Sequence, residues 1–253
     1  MLTAERHQAI LQILAKQGRI TVADIARLFS ISAATARRDA VLLSEAGMAV
    51  RSHGGLLPAH FFRDASRLPA RLVRPSEPNA RIARRALELV PQEGNVFVDS
   101  DNTCLEVGRL LIEQPDLCIF TNSIPLIGLA SQSSASLTAI GGEIKKGSTA
   151  LTGELAQAWL SDLRFDIAII GASRLDPVKG AYTHDFGQVA IKREAMQRAN
   201  VRMLVADGDK WKRSDGIHFA AWGNFSHFVT SDDPPSGVHE MLGTKNIKVH
   251  VSK

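Results

Sequence analysis

The chain has 253 residues, 45% of them hydrophobic and 22% charged, with two cysteines. That length fits one large domain or two modest ones. The composition excludes disordered, collagen-like and disulfide-framework classes. Apolar runs such as Asp166–Ala172 fall well short of the roughly 20 residues a membrane span needs. The opening Met1–Gln8 has no basic segment followed by an apolar one, so a cytoplasmic protein is expected. Cys104 and Cys118 fit a reducing compartment and match no metal or redox spacing. The formal net charge of +4 divides unevenly: residues 1–90 carry 14 Lys and Arg against 7 Asp and Glu, and the remainder is net negative. Such asymmetry points to a polyanion partner for the front of the chain, or to a solvated basic face.

Three helices are predicted in the first 46 residues. The first runs from Thr3 to about Gln17 on Ile10, Leu11, Ile13 and Leu14, and Gly18 stops it. The second starts at Thr21 with a capping-box pattern ending at Asp24, and Val22, Ile25, Ala26 and Phe29 follow the helical template. Ser32 is the expected N-cap of the third, which Gly47 closes. Ala36, Ala40 and Leu43 form its buried face, and Ala33, Ala34, Arg37 and Arg38 its other face. Small residues allow close approach to a groove, while guanidinium groups reach phosphates or the guanine edge. Helix, short turn, arginine-bearing helix is the helix-turn-helix layout. Residues 48–55 read as a short strand ending at a glycine turn, with Arg51 and His53 facing outward as on a wing; a buried role for His53 is the alternative.

Residues 58–78 are the expected linker, with Pro58, Pro69, Pro75 and Pro78 and arginines at 63, 67, 71 and 74. Those arginines either graze DNA or pair with the acidic remainder.

From Asn79 onward strands and helices alternate. Strands are predicted at 95–99, 117–121, 136–140, 166–171, 202–207, 227–231 and 247–251. Helices are predicted at 79–90, 103–113, 124–130, 153–163 and 187–200. Short Val/Ile runs joined by amphipathic helices indicate an α/β domain with a mainly parallel sheet. In such sheets ligands sit beyond the carboxyl ends of the strands. Those ends carry Asp99, Ser100, Asp101, Asn102 and Thr103; then Thr121, Asn122 and Ser123; then Gly141 and Gly142; then Gly171, Ala172 and Ser173; then Lys210 after Asp207, with Lys192 in a following helix. Together they predict a pocket for a small, hydroxyl-rich, anionic ligand. Carboxylates beside a lysine would serve proton abstraction. No nucleotide, hydrolase or metalloprotease motif is present, however, and His184–Asp185 reads as a surface pair. No catalytic residue, metal site or cofactor is expected.

Several segments resemble the DeoR family of bacterial transcriptional regulators. They are Glu5-Arg6-His7-Gln8 with Ile10, Ser32-Ala33-Ala34-Thr35-Ala36-Arg37-Arg38-Asp39, Arg51 with His53-Gly54-Gly55, and the strand-end residues above with Phe165-Asp166, Lys192-Arg193 and Asp207 with Lys210. The pattern around Val189 and Thr230–Pro235 is similar to the glycerol-3-phosphate repressor branch. The resemblance spans nearly the whole chain. It implies a winged helix-turn-helix domain at 1–57, with Ser32, Ala33, Ala34, Thr35, Arg37, Arg38, Arg51 and His53 on operator DNA. It implies a sensor at 79–253, akin in fold to ribose-5-phosphate isomerase and CoA-transferase domains. That sensor would bind a small sugar-derived, phosphorylated effector without turnover, in a homodimer or homotetramer. The chain departs from the family at Asp101, where Gly is usual, at Asn79 for Lys and at Gln188 for Glu, so a sugar acid or an unphosphorylated sugar stays open. Small Ala36 and Ala40 predict thinner packing of the third helix. The competing readings are a sugar-phosphate isomerase with an accessory domain and a protein-docking module at the front.

Overall fold

A computed structural model describes residues 3–17, 20–45, 48–52, 55–58 and 76–252. The chain divides into two compact units, Met1–Asp64 and Ala65–Lys253.

The first unit contains α1 (Thr3–Gln17), β1 (Ile20–Thr21), α2 (Val22–Leu28), α3 (Ala33–Glu45), β2 (Ala49–Ser52) and β3 (Gly55–Pro58). The three helices have the expected bounds to within a residue or two because each has a local signal. Thr21 and Asp24 close a reciprocal capping box on α2. Ser32 Oγ accepts the Thr35 N–H at 3.1 Å to start α3. Ile10, Leu14, Ile25, Ala36, Ala40, Leu43 and Leu56 share one core. Ala36 and Ala40 are 0% and 2% exposed, so the small side chains are closed over by their neighbours. Sequence reading missed two strands: β3 returns antiparallel to β2, and β1 adds to its far edge. The result is a winged helix-turn-helix unit.

The second unit opens with α4 (Glu77–Leu87), capped by Ser76. It begins two residues before the predicted start because Pro78 sits in the first turn, where a missing N–H costs nothing. Seven strands follow: β4 (Gly94–Val98), β5 (Leu117–Thr121), β6 (Ser136–Ala139), β9 (Phe165–Gly171), β12 (Ala199–Val205), β14 (His227–Thr230) and β15 (Lys248–Val251). They form one sheet in the order β15-β14-β12-β9-β4-β5-β6, with every neighbouring pair parallel. The chain starts in the middle at β4, winds to one edge, then returns past β4 to build the other. The reversal lies between β4 and β9, and crevices open at such switch points.

The strands alternate strictly between two cores. Val96, Val98, Ile167, Ile169, Met203 and Val205 pack beneath α4 and α5 (Asn102–Leu111). Phe97, Ala168, Ile170 and Leu204 face α7 (Glu154–Ser161) and α8 (Phe186–Gln197). The remaining helices are α6 (Ile124–Ile127) and α9 (Val238–Thr244). Short antiparallel pieces were not legible in advance: β7 (Glu143–Ile144) with β8 (Leu151–Thr152), and β10 (Arg174–Asp176), β11 (Gly180–Thr183) and β13 (Ile217–Ala220) as a second sheet.

Candidate functional site

On the first unit, α3 presents Ala33, Ala34, Arg37 and Arg38 to solvent, and Ser32 and Thr35 cap its amino end. Among the described residues neither arginine makes a hydrogen bond or ion pair. Beneath them Asp39 anchors the helix. Its carboxylate accepts two bonds from Arg6, at 2.7 and 3.1 Å, and lies 3.0 Å from His7 Nε2. Burial alone would raise the Asp39 carboxyl, but the Arg6 and His7 bonds outweigh it and hold it below its ordinary value. Arg6 and Asp39 therefore fix α3 on α1, leaving Arg37 and Arg38 uncommitted. Arg51 lies in β2, but its side chain, and His53 altogether, fall outside the described residues.

On the second unit, the carboxyl ends of β4, β5 and β9 meet. Asp99 is fully buried, and Oδ2 accepts the Gly171 N–H at 3.0 Å and the ammonium of Lys192. Lys192, 1% exposed, also donates to Gly171 O at 3.0 Å and sits 5.3 Å from the Phe219 ring centre. Burial would lower the Lys192 ammonium, but the charges of Asp99 and Asp101 reverse this and raise it, so it stays protonated. The same burial, with the same two carboxylates, pushes the Cys104 thiol well up, and it stays neutral. Asp101 is the N-cap of α5 and accepts the Thr103 N–H at 3.2 Å. Gly171 has to be glycine, because a Cβ there would lie 2.6 Å from Asp101 Cγ.

The other predicted residues divide by what they do. Thr121 Oγ1 donates to Val98 O at 2.7 Å and accepts the Ser123 N–H at 3.0 Å, so it ties the β4 and β5 ends together. Ser123 caps α6. Asn122 donates to Leu151 O at 3.2 Å, leaving its Oδ1 turned away from that bond. Gly142 has a φ of 140°, which lets the chain pass close to Thr152. Gly141 lies beside Leu155 and Trp159. Asn102 occupies the first helical position of α5. Lys210 is buried, 3.7 Å from Asp207. Three atoms here are buried with no hydrogen-bond partner among the described residues: Asp99 Oδ1, Ser100 Oγ and Asn122 Oδ1.

His184 pairs at 3.6 Å with Asp215 rather than with Asp185, which instead caps α8 and meets Lys145. Sequence reading placed Gly171 at a strand end but did not foresee that its backbone serves both members of the buried ion pair, and it missed Phe219. It also missed a hollow of about 450 Å³ lined by Arg193, Arg202 and Phe219. Arg193 is held there by Phe219 O and His218 O, while Arg202 Nε is buried without a partner among the described residues.

Residues 6–60 match the DeoR-like helix-turn-helix domain, and residues 76–232 match the DeoR C terminal sensor domain. The chain belongs to the DeoR family. As in that family, a DNA-binding helix-turn-helix domain and a sensor domain stand on one polypeptide. This DeoR chain is 26% identical to the glycerol-3-phosphate regulon repressor of Escherichia coli K12, over 99% of this chain and 100% of that protein. It is 28% identical to the putative aga operon transcriptional repressor of Escherichia coli O157:H7, over 84% and 80%. A ribose 5-phosphate isomerase A from Methanocaldococcus jannaschii superposes with a TM-score of 0.40 and 16% identity, over 53% of each chain. Among the described residues of this DeoR chain, no helix is long and apolar enough to cross a membrane. Nor do three or more His, Cys, Asp or Glu side chains group as a metal site among them.

Proposed function

We propose that the chain is a transcriptional repressor of carbohydrate catabolic genes, whose hold on operator DNA is set by a small sugar-derived effector at the carboxyl edge of the seven-stranded sheet. One juxtaposition supports this reading. A switch point with buried polar atoms that have no hydrogen-bond partner among the described residues is carried on the same chain as a helix with two exposed arginines that make no bond or ion pair among them. Relatives named as a glycerol-3-phosphate regulon repressor and an aga operon repressor support the carbohydrate connection.

In this reading α3 enters the major groove, with Ser32, Ala33, Ala34 and Thr35 at its leading end. Arg37, Arg38 and Arg51 supply phosphate or guanine contacts, and His53 lies on the wing. A dimer or tetramer in the cytoplasm sets two such helices about 34 Å apart. The effector meets Asp99–Thr103, Thr121–Ser123, Gly141, Gly142, Lys192 and Lys210, and is not turned over. It need only bind the DNA-incompetent state better. A hundredfold weakening of operator binding takes about 2.7 kcal/mol of coupling, within the usual allosteric range.

The test pairs two measurements on the full chain. Fluorescence anisotropy follows binding to duplexes from upstream of its own gene and its neighbours, and thermal shift screens sugars, polyols, sugar phosphates and sugar acids. A compound that stabilises the protein should also release a preferred duplex. Equal retention with every stabilising compound would refute the switch, and conversion of pentose or triose phosphates at enzymatic rates would refute the sensor reading.

A further inference from the structure

The hollow beside Arg193 and Arg202 lies away from the carboxyl ends of the strands. Helix α8 leads directly into β12, and the hollow sits at that junction, with Gln197 at the end of α8 and Arg202 midway along β12. The turn Trp222–Asn224 borders it just before β14 begins. Its location is therefore the amino side of the sheet, opposite to Asp99 and Asn122.

Arg202 is out of place for a strand interior. It alternates with Met203 and shares a face with Leu204, which enters the core beneath α7 and α8. On β9 its register partner is Ala168, whose methyl leaves space beside it. On the other side β14 is paired only from Met203 onward. The Arg202 Nε is buried with no hydrogen-bond partner among the described residues, and no carboxylate lines the hollow among them. A buried cationic donor without an acceptor costs free energy that an incoming oxyanion would recover.

Arg193 is already oriented. Its Nε and Nη2 donate to Phe219 O at 2.9 Å and His218 O at 3.1 Å, while Nη1 makes no bond among the described residues. A guanidinium fixed in this way loses little freedom when it meets a carboxylate or phosphate. Between the charges the wall is apolar, built from Met196, Phe219 and Ala220. The volume of about 450 Å³ exceeds the needs of an inorganic ion and falls in the range of small-molecule sites.

We propose that this hollow is a second ligand site, separate from the sheet's carboxyl edge, and that it takes a small organic anion: a carboxylate or phosphate on a planar or apolar body. The oxyanion lies against Arg193 and Arg202, and the body rests on Met196 and Phe219. Two cations with no acid in the wall select the charge, and the apolar floor selects against an ion without a carbon frame.

Calorimetry on the full chain separates these contributions with four probes. Phenyl phosphate and benzoate carry both features, inorganic phosphate lacks the body, and benzyl alcohol lacks the charge. Wild type should bind at least one aryl anion tenfold or more tightly than it binds inorganic phosphate or benzyl alcohol. Arg202→Met, which keeps the stem and removes the cation, should lose at least tenfold of that affinity. Arg202→Gln gives the same reading if the Met variant fails to fold. Independently of any variant, 4-iodobenzoate soaked into crystals of the full chain should give its anomalous signal between the two guanidinium groups. No binding of either aryl anion at millimolar concentration overturns the proposal. So does equal binding of benzyl alcohol, unchanged affinity in the Arg202 variant that folds, or an iodine signal at the carboxyl edge instead.

Discussion

Thr103 Oγ1 donates a hydrogen bond of 3.4 Å to Oδ1 of Asn79. Thr103 stands in the first turn of α5, directly after the loop that carries Asp99 and Asp101, and Asn79 stands in the first turn of α4. Helix α4 buries Ile82, Ala83 and Ala86 in the core shared with α5. A shift of the loop is thus felt one side chain away, by the helix that opens the sensor unit. Replacing Asn79 with Ala should leave effector-induced thermal stabilisation within about 0.5 kcal/mol of wild type while reducing effector-driven release of operator several-fold. Equal release by the variant would remove this bond from the switch.

Arg37 and Arg38, the proposed operator contacts, are exposed and make no hydrogen bond or ion pair among the described residues, while Asp39 beside them is held by Arg6 and His7. Each Arg→Ala change should weaken operator binding by about 1–3 kcal/mol if the side chain reads a base. A phosphate-contacting arginine should instead lower the slope of log K against log salt by about 1. Anisotropy titrations at three salt concentrations separate the two cases, and a variant changing neither would lie outside the interface.

The Asp39 carboxyl titrates below its ordinary value in the folded chain. Its contribution to stability is therefore complete above about pH 4, where the unfolded carboxyl is ionised. It is lost as pH falls further, through the lowered native value. As pH falls below about 4, the helix-turn-helix unit should lose stability more steeply in wild type than in Asp39→Asn, as followed by circular dichroism of the unit's unfolding.

Lys192 and Asp99 form a buried pair in which each is the other's main compensation. Lys192→Met leaves a carboxylate buried without its cation and should destabilise the sensor unit by about 3–5 kcal/mol. The double change with Asp99→Leu should recover most of that loss, because the uncompensated charge is gone. Urea denaturation of both variants tests the pair, and an additive double mutant would contradict it.

Gly171 and Asp101 touch where a side chain on the former has no room. Gly171→Ala should cost about 1–3 kcal/mol by overpacking, and adding Asp101→Gly should relieve part of the cost. Failure of the second change to help would place Asp101 elsewhere.

Much was settled locally and so was readable along the chain. Thr21 with Asp24 and Ser32 with Thr35 set helix starts within three residues of sequence. The Val/Ile runs of β4, β9 and β12 signal their burial without any partner being named. Sequence also brought out Asp101 as a carboxylate where the family usually has Gly; its work as a cap and its contact with Gly171 came only from the fold. Asp99 meets Lys192 across 93 residues, and Arg6 meets Asp39 across 33. Thr121 Oγ1 binds Val98 O across 23 residues. Strands of two to four residues, such as β7, β10 and β13, are too short to show a period. Caps and hydrophobic rhythm are properties of neighbouring residues. Which buried charge finds which counter-charge depends on strand order, and strand order exists only once distant segments have packed.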